Sequence, residues 1–158
     1  MALAESAQKV QKELLARGIE AKVVELPDST RTAIEAAQAI GCTVAQIVKS
    51  LVFRGAASGK AILIEASGVN RVNEKAVAEI LGEAIVKADA DFVREKTGFA
   101  IGGIPPVGHA AEMGTVLIDE DLLQYDTLWA AAGTPHAVFP LTPAELVKIS
   151  NGKVVSIK

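Results

Sequence analysis

Cysteine and histidine are scarce in this sequence, and their scarcity removes several classes of function. The 158 residues include a single cysteine, Cys42, which excludes an internal disulfide and a thiolate-rich metal site. The two histidines, His109 and His136, have neither i, i+4 spacing nor an HExxH pattern, so no metal-dependent hydrolase is indicated. We expect neither a metal nor a cofactor. Cys42 follows the predicted helix-ending Gly41 with no histidine near it, which favours a small buried residue over a nucleophile.

Long apolar runs are also lacking. Half of the residues are hydrophobic, but many are alanine, and charge or glycine interrupts each run before the ~20 residues that a membrane span needs. The segment 1–15 carries Glu5, Lys9, Lys12 and Glu13, so it has no uninterrupted apolar centre of a secretory signal. We therefore expect no membrane partner and a cytoplasmic location.

An excess of positive charge is absent as well. The formal net charge is -3, which argues against a protein that coats DNA or RNA through a broad basic surface. A local grip on the end of an RNA requires only a few placed cations, and the charge permits this with salt-sensitive binding.

Short helices and short strands alternate along the chain. Capping residues and glycine exits predict helices at 4–17, 32–40, 43–46, 73–81, 91–96 and 142–149. Apolar or alternating segments predict strands at 21–26, from 51–53 onward, and at 60–65, 84–87, 115–118, 128–132, 137–139 and 154–157. A doubly wound sheet requires a helix after each strand, and the predicted order lacks that regularity, so this fold is disfavoured. We predict a mixed α/β fold in one domain, 1–158, without internal repeats.

The segment Gly98–Gly108, GFAIGGIPPVG, does not resemble ordinary scaffolding. Four glycines and two adjacent prolines in eleven residues predict a shaped loop whose main-chain amides approach a bound group. Such a loop suits an oxyanion or carbonyl cradle, although a plain surface turn has the same composition. It matches neither a Walker loop nor a GxGxxG fingerprint.

Two further segments contain candidate site residues. Lys49 lies between the apolar residues Val48 and Leu51, where its amine either reaches solvent or lines a cleft and meets an oxygen. The turn Gly133-Thr134-Pro135-His136 ends in a histidine that either contacts a ligand or has a structural role.

Four segments in order resemble the YbaK/EbsC family, relatives of the editing domain inserted in bacterial prolyl-tRNA synthetases. They are ELPDSTRTAIEAAQAIG, QIVKSLVFR, GFAIGGIPPVGH and WAAAGTPHAVFPLTPAELVKISNG, and the likeness covers nearly the whole chain. The resemblance implies a compact mixed α/β domain with a partly barrel-like sheet surrounded by short helices. It also implies a trans-acting hydrolase that deacylates mischarged tRNA, chiefly proline tRNA carrying alanine, cysteine, serine or another small amino acid.

The resemblance also implies site residues. Lys49 matches the functional lysine of the family, and Gly102 and Pro106 match the ends of its GxxxP loop, with Gly103, Ile104 and Pro105 between them. In this family the terminal ribose hydroxyl of the substrate helps water attack the ester, without a metal or a covalent intermediate. The expected partners are the acceptor end of mischarged tRNA and, as a further candidate, an aminoacyl-tRNA synthetase.

The sequence departs from better-known members at two places that border the amino-acid pocket. One is the double proline of the loop, and the other is the segment around Thr30 and Arg31. These two residues, together with Gly133, Thr134 and His136, are the candidate substrate-binding residues. A hydrophobic pocket distinguishes one methylene by only about 1–3 kcal/mol, so the preferred amino acid stays open.

Two other functions compete with editing. The acidic net charge is compatible with a non-catalytic module of the same fold that binds a protein or a small ligand. Alternatively, Cys42 or His136 acts as nucleophile or base in the hydrolysis of a small ester or amide.

Overall fold

The computed structural model describes residues 3–158, so the predicted domain and the segment 1–15 extend two residues beyond the described part. Within it lie five α-helices, eight β-strands and two short 3-10 helices, Val44–Gln46 and Glu120–Gln124. The α-helices are α1 Glu5–Ala16, α2 Ala33–Ile40, α3 Glu74–Leu81, α4 Ala90–Thr97 and α5 Pro143–Ser150. The strands are β1 Val24–Glu25, β2 Ile47–Gly55, β3 Ala61–Ser67, β4 Ile85–Lys87, β5 Thr115–Asp119, β6 Leu128–Ala131, β7 Ala137–Leu141 and β8 Lys153–Val155.

Local capping chemistry sets the helix boundaries. Thr142 and Glu145 satisfy each other's free amides at the start of α5, as the capping pattern predicts. At α2 the Thr32 hydroxyl accepts from the Glu35 amide at 3.1 Å, whereas the Glu35 carboxylate contacts the Thr32 hydroxyl instead of its amide. The cap at α2 is therefore formed in one direction only.

None of the helices within residues 3–158 combines the length and apolarity required to cross a bilayer.

One mixed sheet contains all eight described strands. Seven follow the order β1-β7-β6-β2-β3-β5-β8, and β4 pairs separately with β2. The pairs β2/β6, β3/β5 and β5/β8 are parallel, and the other pairs are antiparallel. This arrangement, with helices packed around it, confirms the predicted mixed α/β fold.

β2 changes its neighbour partway along its length. One side pairs with β3 over residues 48–54. The other side pairs with β6 only at Ile47 and Val48, and with β4 only at 53–55. Within the described part of the chain, residues 49–52 therefore have no strand partner on that side. The sheet is left open beside the middle of β2.

The core lies on both faces of the sheet. All seven residues of β3 are buried, as a strand covered on both faces requires. On one face, Ile62 and Ile64 pack with Val77 of α3. On the other face, α1 and α5 pack against β6 and β7 in the larger apolar cluster. The larger cluster also includes Val48 of β2 and Ile118 of β5, the strands on either side of β3.

Several strand boundaries differ from the predicted ones, and the difference is largest at β1 and β2. The predicted strand 21–26 is reduced to Val24–Glu25, which pairs only with Val138 and Ala137 of β7. β2 begins at Ile47, so Lys49 lies inside the strand and not at its entrance. Pairing with β6 and β3 extends β2 to include these residues, and neither partner is visible in local sequence.

Candidate active site

A cavity of about 260 Å³ lies beside the unpaired stretch of β2. Residues 47–51 of β2 form one wall, and residues 30–33 with Ala36 of α2 form another. The glycine-rich loop contributes Ile101, Gly102 and Ile104, while residues 129–131 and Val138 close the remaining side. We call this space the β2 cavity. Because β2 lines it from its edge, consecutive residues on opposite faces of the strand reach the same space.

Lys49 is the cation that β2 contributes to the wall of the β2 cavity. Its Nζ donates a hydrogen bond of 2.7 Å to the main-chain carbonyl of Asn70. Burial lowers the pKa of Lys49 below its ordinary 10.5, and nearby Arg71 lowers it further, whereas Asp119 opposes both effects. A neutral carbonyl as the bonded acceptor leaves the ammonium charge available to a negatively charged ligand.

A polar network holds the Lys49 acceptor in place. Asn70 Nδ2 donates to Asp119 Oδ2 and to Asp121 Oδ2, each at 2.8 Å. Asp119 is fully buried and also accepts from the main-chain amides of Ser67 and Asp121. Asp121 in turn forms an ion pair of 2.9 Å with Lys158, which lowers its pKa. The Asn70 main chain is therefore anchored beneath the lysine amine.

Ser50, the next residue of β2, has a different kind of partner. A hydrogen bond of 2.7 Å joins the Ser50 hydroxyl to Oε2 of Glu65. Glu65 is fully buried in β3, and within residues 3–158 its Oε1 has no hydrogen-bond partner. Burial raises the pKa of Glu65 to about 8, although the bond from Ser50 opposes this. A pKa near 8 favours the neutral carboxyl group at pH 7.

The glycine-rich loop offers few free amides to the β2 cavity. The Gly103 amide is occupied by Ala100 O at 3.1 Å, and Pro105 and Pro106 have no N–H. Within residues 3–158, the amides of Gly102 and Ile104 have no protein acceptor, and both residues line the cavity. The Ile101 amide also has no protein acceptor within these residues, so the loop can present three main-chain donors there.

Gly102 and Gly103 are glycines for different reasons. Gly102 has φ +99, a backbone conformation that costs other residues strain. At Gly103 an added Cβ would lie 2.9 Å from the Thr134 main-chain nitrogen. That close approach accompanies a hydrogen bond of 2.8 Å from the Gly133 amide to Gly103 O. Since C=O and N–H point in opposite directions across a trans peptide, Gly133 also orients the Ile104 amide.

The second half of the loop faces away from the β2 cavity. Pro106 is buried and lines a separate polar groove with Arg17 and His109. His109 Nε2 donates a hydrogen bond of 2.8 Å to Pro105 O, which ties the loop to its own continuation. Burial lowers the pKa of His109, the bond to Pro105 opposes this, and Arg17 adds to the lowering.

Of the predicted catalytic residues, Lys49, Gly102 and Ile104 meet at the β2 cavity, whereas Gly103, Pro105 and Pro106 lie behind its wall. Of the predicted substrate-binding residues, Thr30 and Arg31 line the cavity. Thr30 is buried, and its Oγ1 has no hydrogen-bond partner within the described residues.

Gly133, Thr134 and His136 do not line the β2 cavity. The segment supports its neighbours instead. The Gly133 amide donates to Gly103 O of the loop, and His136 Nδ1 donates a hydrogen bond of 3.0 Å to Asp28 O. Pro135 O also accepts from the Thr30 amide at 2.6 Å. Cys42 lies outside the cavity too, and burial raises the pKa of its thiol.

The sequence patterns did not indicate a role for four polar residues at or behind the cavity wall, Ser50, Glu65, Asn70 and Asp119. A glutamate within the apolar run ILIEAS was the available signal for Glu65, because a charged residue in a doubly covered strand needs a partner. The roles of Asn70 and Asp119 depend on the pairing of β3 with β5, which local sequence does not show.

Comparison with known proteins identifies the family. The profile described as the aminoacyl-tRNA editing domain matches residues 27–149, which include every lining residue of the β2 cavity. The chain belongs to the aminoacyl-tRNA editing domain family. The resemblance inferred from the four sequence segments is thereby confirmed.

Relatives of this editing domain cover nearly all of it. A solved structure of a candidate trans-editing enzyme for prolyl tRNA synthetase is 50% identical with a TM-score of 0.93, covering 99% of each chain. The hypothetical protein APE2540 is 30% identical with a TM-score of 0.86, covering 94% of this chain and 98% of its own. The uncharacterised protein YwhH of Bacillus subtilis (strain 168) is 35% identical over 132 residues, covering 84% of this chain and 83% of its own.

Proposed function

We propose that this editing domain is a trans-acting deacylase that hydrolyses the ester of mischarged tRNA. The observation that carries the proposal is that the Lys49 amine and the free amides of Gly102 and Ile104 belong to residues lining one cavity. A cavity of about 260 Å³ is at the small end of ligand pockets, which suits a small amino acid on a terminal ribose.

The proposed reaction is the hydrolysis of one ester bond. Water adds to the carbonyl carbon, helped by the free hydroxyl of the substrate's terminal ribose, and an oxyanion forms on the former carbonyl oxygen. The bond to the ribose oxygen then breaks, and that oxygen takes up the proton given up by the attacking water, releasing the amino acid and tRNA. No protein nucleophile takes part in this route.

The chain contributes position and charge to this reaction. In the proposal, the amides of Gly102 and Ile104 donate to the developing oxyanion, and Lys49 steadies negative charge or orients the terminal nucleotide. Gly103, Pro105 and Pro106 shape the loop from behind. Gly103 does so through its bond to Gly133.

The proposed partner is the acceptor end of tRNA. Arg31 is exposed at the β2 cavity, and exposed Arg71 is close enough to Lys49 to influence its pKa. Two placed arginines meet the requirement for a local grip on phosphate despite the net charge of -3. Proline tRNA is our first choice because the 50% identical neighbour is described as a candidate trans-editing enzyme for prolyl tRNA synthetase. That synthetase is then the candidate protein partner, and the cytoplasm is the expected location.

A panel of mischarged tRNAs tests the proposal. Proline tRNA charged with alanine, cysteine, serine or threonine is incubated with the protein, and release of the amino acid is followed at pH 7. We expect release of at least one small amino acid well above the spontaneous rate, and no release of proline from correctly charged tRNA. Hydrolysis at the spontaneous rate for every member would contradict the proposal and favour the non-catalytic binding module.

A further inference from the structure

Glu65 is a buried acid connected to the β2 cavity through one side chain. It lies in the middle of β3, opposite Ser50 of β2 and Ile118 of β5. Glu65 itself is fully buried, whereas Ser50 is half-buried and lines the cavity. Oε2 is 2.7 Å from Ser50 Oγ, and Oε1 has no partner within the described residues. The hydrogen-bonded path from Glu65 to a ligand in the cavity therefore runs through the Ser50 hydroxyl.

No charged side chain of the flanking strands faces Glu65. Lys49 of β2 adjoins Ser50, and Asp119 of β5 adjoins Ile118, so alternation turns both to the opposite face of the sheet. Both are also occupied, Lys49 by Asn70 O and Asp119 by Asn70 Nδ2 and two main-chain amides.

The face that Glu65 shares contains apolar side chains. Val48 and Ile118 belong to its buried cluster, and Val52 packs against that cluster. The helices on this side contribute buried apolar residues of α1, α4 and α5 to the same cluster. With no counter-ion, burial favours the neutral carboxyl group and raises its pKa to about 8.

The position of the carboxyl proton decides what Ser50 can do. A neutral carboxyl group has one O–H, which on Oε1 would be left without an acceptor. On Oε2 the proton is donated to Ser50 Oγ, so the serine's own proton is free to be donated to another acceptor. When Glu65 is ionised, it can only accept, and the serine proton is held by Oε2.

We propose that Glu65 is a positioning residue that keeps Ser50 Oγ as a hydrogen-bond donor towards an oxygen of the aminoacyl group in the β2 cavity. Ionisation of Glu65 withdraws that donor by drawing the serine proton to itself. This proposal rests on the proposed function, because it takes the aminoacyl end of tRNA as the ligand.

The first experiment follows the acid without using activity. The carboxyl carbon of Glu65 is titrated by ¹³C NMR in the wild-type protein and in Ser50→Ala, with Glu65→Gln used to assign the signal. We expect a midpoint near pH 8 in the wild type and a higher one in Ser50→Ala, which cannot donate to the ionised form. A midpoint at the ordinary value of a glutamate would overturn the proposal.

The second experiment measures binding of 3′-(serylamino)-3′-deoxyadenosine, an amide analogue of the aminoacylated end that cannot be hydrolysed as an ester. In the wild type we expect affinity to fall roughly tenfold more between pH 6.5 and pH 9 than in Glu65→Gln, whose side chain does not ionise and retains N–H donors for Ser50. Ser50→Ala should bind roughly tenfold more weakly at pH 6.5. Titration of the analogue's own amino group, and of Lys49, is common to both proteins and cancels in the comparison.

The outcomes separate the two proposals. Equal pH dependence in the wild type and Glu65→Gln overturns the role of Glu65, whether or not tRNA is deacylated. Binding of the analogue without hydrolysis of any mischarged tRNA overturns the proposed function, and the pH comparison still decides the role of Glu65. A folded protein that does not bind the analogue at any pH contradicts both.

Discussion

Lys49 and Ser50 are consecutive residues that line one cavity, yet the polar networks behind them are opposite in character. The network behind Lys49 runs from Asn70 to Asp119, Asp121 and Lys158, and both Asn70 Nδ2 contacts with these aspartates are 2.8 Å long. The network behind Ser50 ends after one bond, at a carboxyl group with an unpartnered oxygen.

The difference follows from the two faces of β2. The Lys49 face reaches the loop after β3, where the Asn70 main chain and side chain supply both an acceptor and donors. The Ser50 face reaches an apolar core, where Glu65 has no second hydrogen-bond partner within residues 3–158. The network behind Lys49 is satisfied and holds the ammonium group in place. The network behind Ser50 is not satisfied, and whether the serine hydroxyl donates to a ligand depends on the protonation of Glu65.

The largest effect should come from Glu65→Gln, which removes the ionisable group from the network behind Ser50 and so changes how the free energy of unfolding depends on pH. Between its ordinary 4.5 and about 8, Glu65 is neutral in the folded protein and ionised in the unfolded chain. The unfolded chain then binds fewer protons, so rising pH lowers the free energy of unfolding by about 1.4 kcal/mol per pH unit through this group. Glu65→Gln should remove that dependence, which urea unfolding at pH 5.5, 7 and 8.5 measures. Parallel pH profiles for the two proteins would refute the neutral buried acid.

Removal of the satisfied charge should have the next largest effect, on activity and not on folding. Lys49→Ala is expected to reduce kcat/KM for a mischarged tRNA by roughly 10²–10³, the range observed on loss of one oxyanion donor. Lys87→Met is a suitable control because Lys87 is an exposed strand lysine outside the β2 cavity. Equal rates for Lys49→Ala and the control would remove the lysine from the mechanism.

Breaking the anchor beneath Lys49 should have a smaller effect on both properties. Asn70→Ala deletes two hydrogen bonds to carboxylates, so we expect a loss of ~1–3 kcal/mol in the free energy of unfolding and a higher KM. Gln38→Ala, at an exposed position of α2, provides the matched change of an amide to alanine. An unchanged KM would show that Lys49 does not depend on Asn70 for its position.

The smallest effects should have opposite signs at two neighbouring threonines. Thr30 Oγ1 is buried without a partner, so Thr30→Val should stabilise the ligand-free protein by up to ~1 kcal/mol. Thr32 caps α2, so Thr32→Val should destabilise it by ~1 kcal/mol. Thermal unfolding of both variants distinguishes them, and a shift in the same direction would contradict the contrast.

Features set by residues close together in the sequence could be predicted, whereas features set by distant partners could not. Asn73 caps α3 through the Ala76 amide at 3.1 Å, and Gly82 ends that helix, both within a few residues of one another. The strands were harder to delimit because their lengths depend on distant partners. β3 was expected to end at Glu65 but continues to Ser67, which moves Glu65 from the strand end to its centre.

The site was predictable to a similar extent. The resemblance singled out Lys49, Gly102 and Ile104, which the β2 cavity brings together across more than fifty residues of sequence. It also assigned a catalytic role to every residue of the GxxxP motif. In the structure only Gly102 and Ile104 of that motif line the cavity, and its other residues do not. Pro106 and His136 show this, since a residue in a loop or turn can support a pocket without lining it.

The change of neighbour along β2 has a consequence for how ligand preference can be altered. Lys49 is in a strand whose register is set by pairing with β3, whereas the facing loop and the Thr30–Arg31 segment belong to no strand and are held by hydrogen bonds to the turn between β6 and β7. Replacement of the loop or of that segment would redraw the amino-acid side of the site without disturbing the register that carries the lysine. Engineering of new selectivity should therefore begin at those two segments, with the sheet kept as a constant platform.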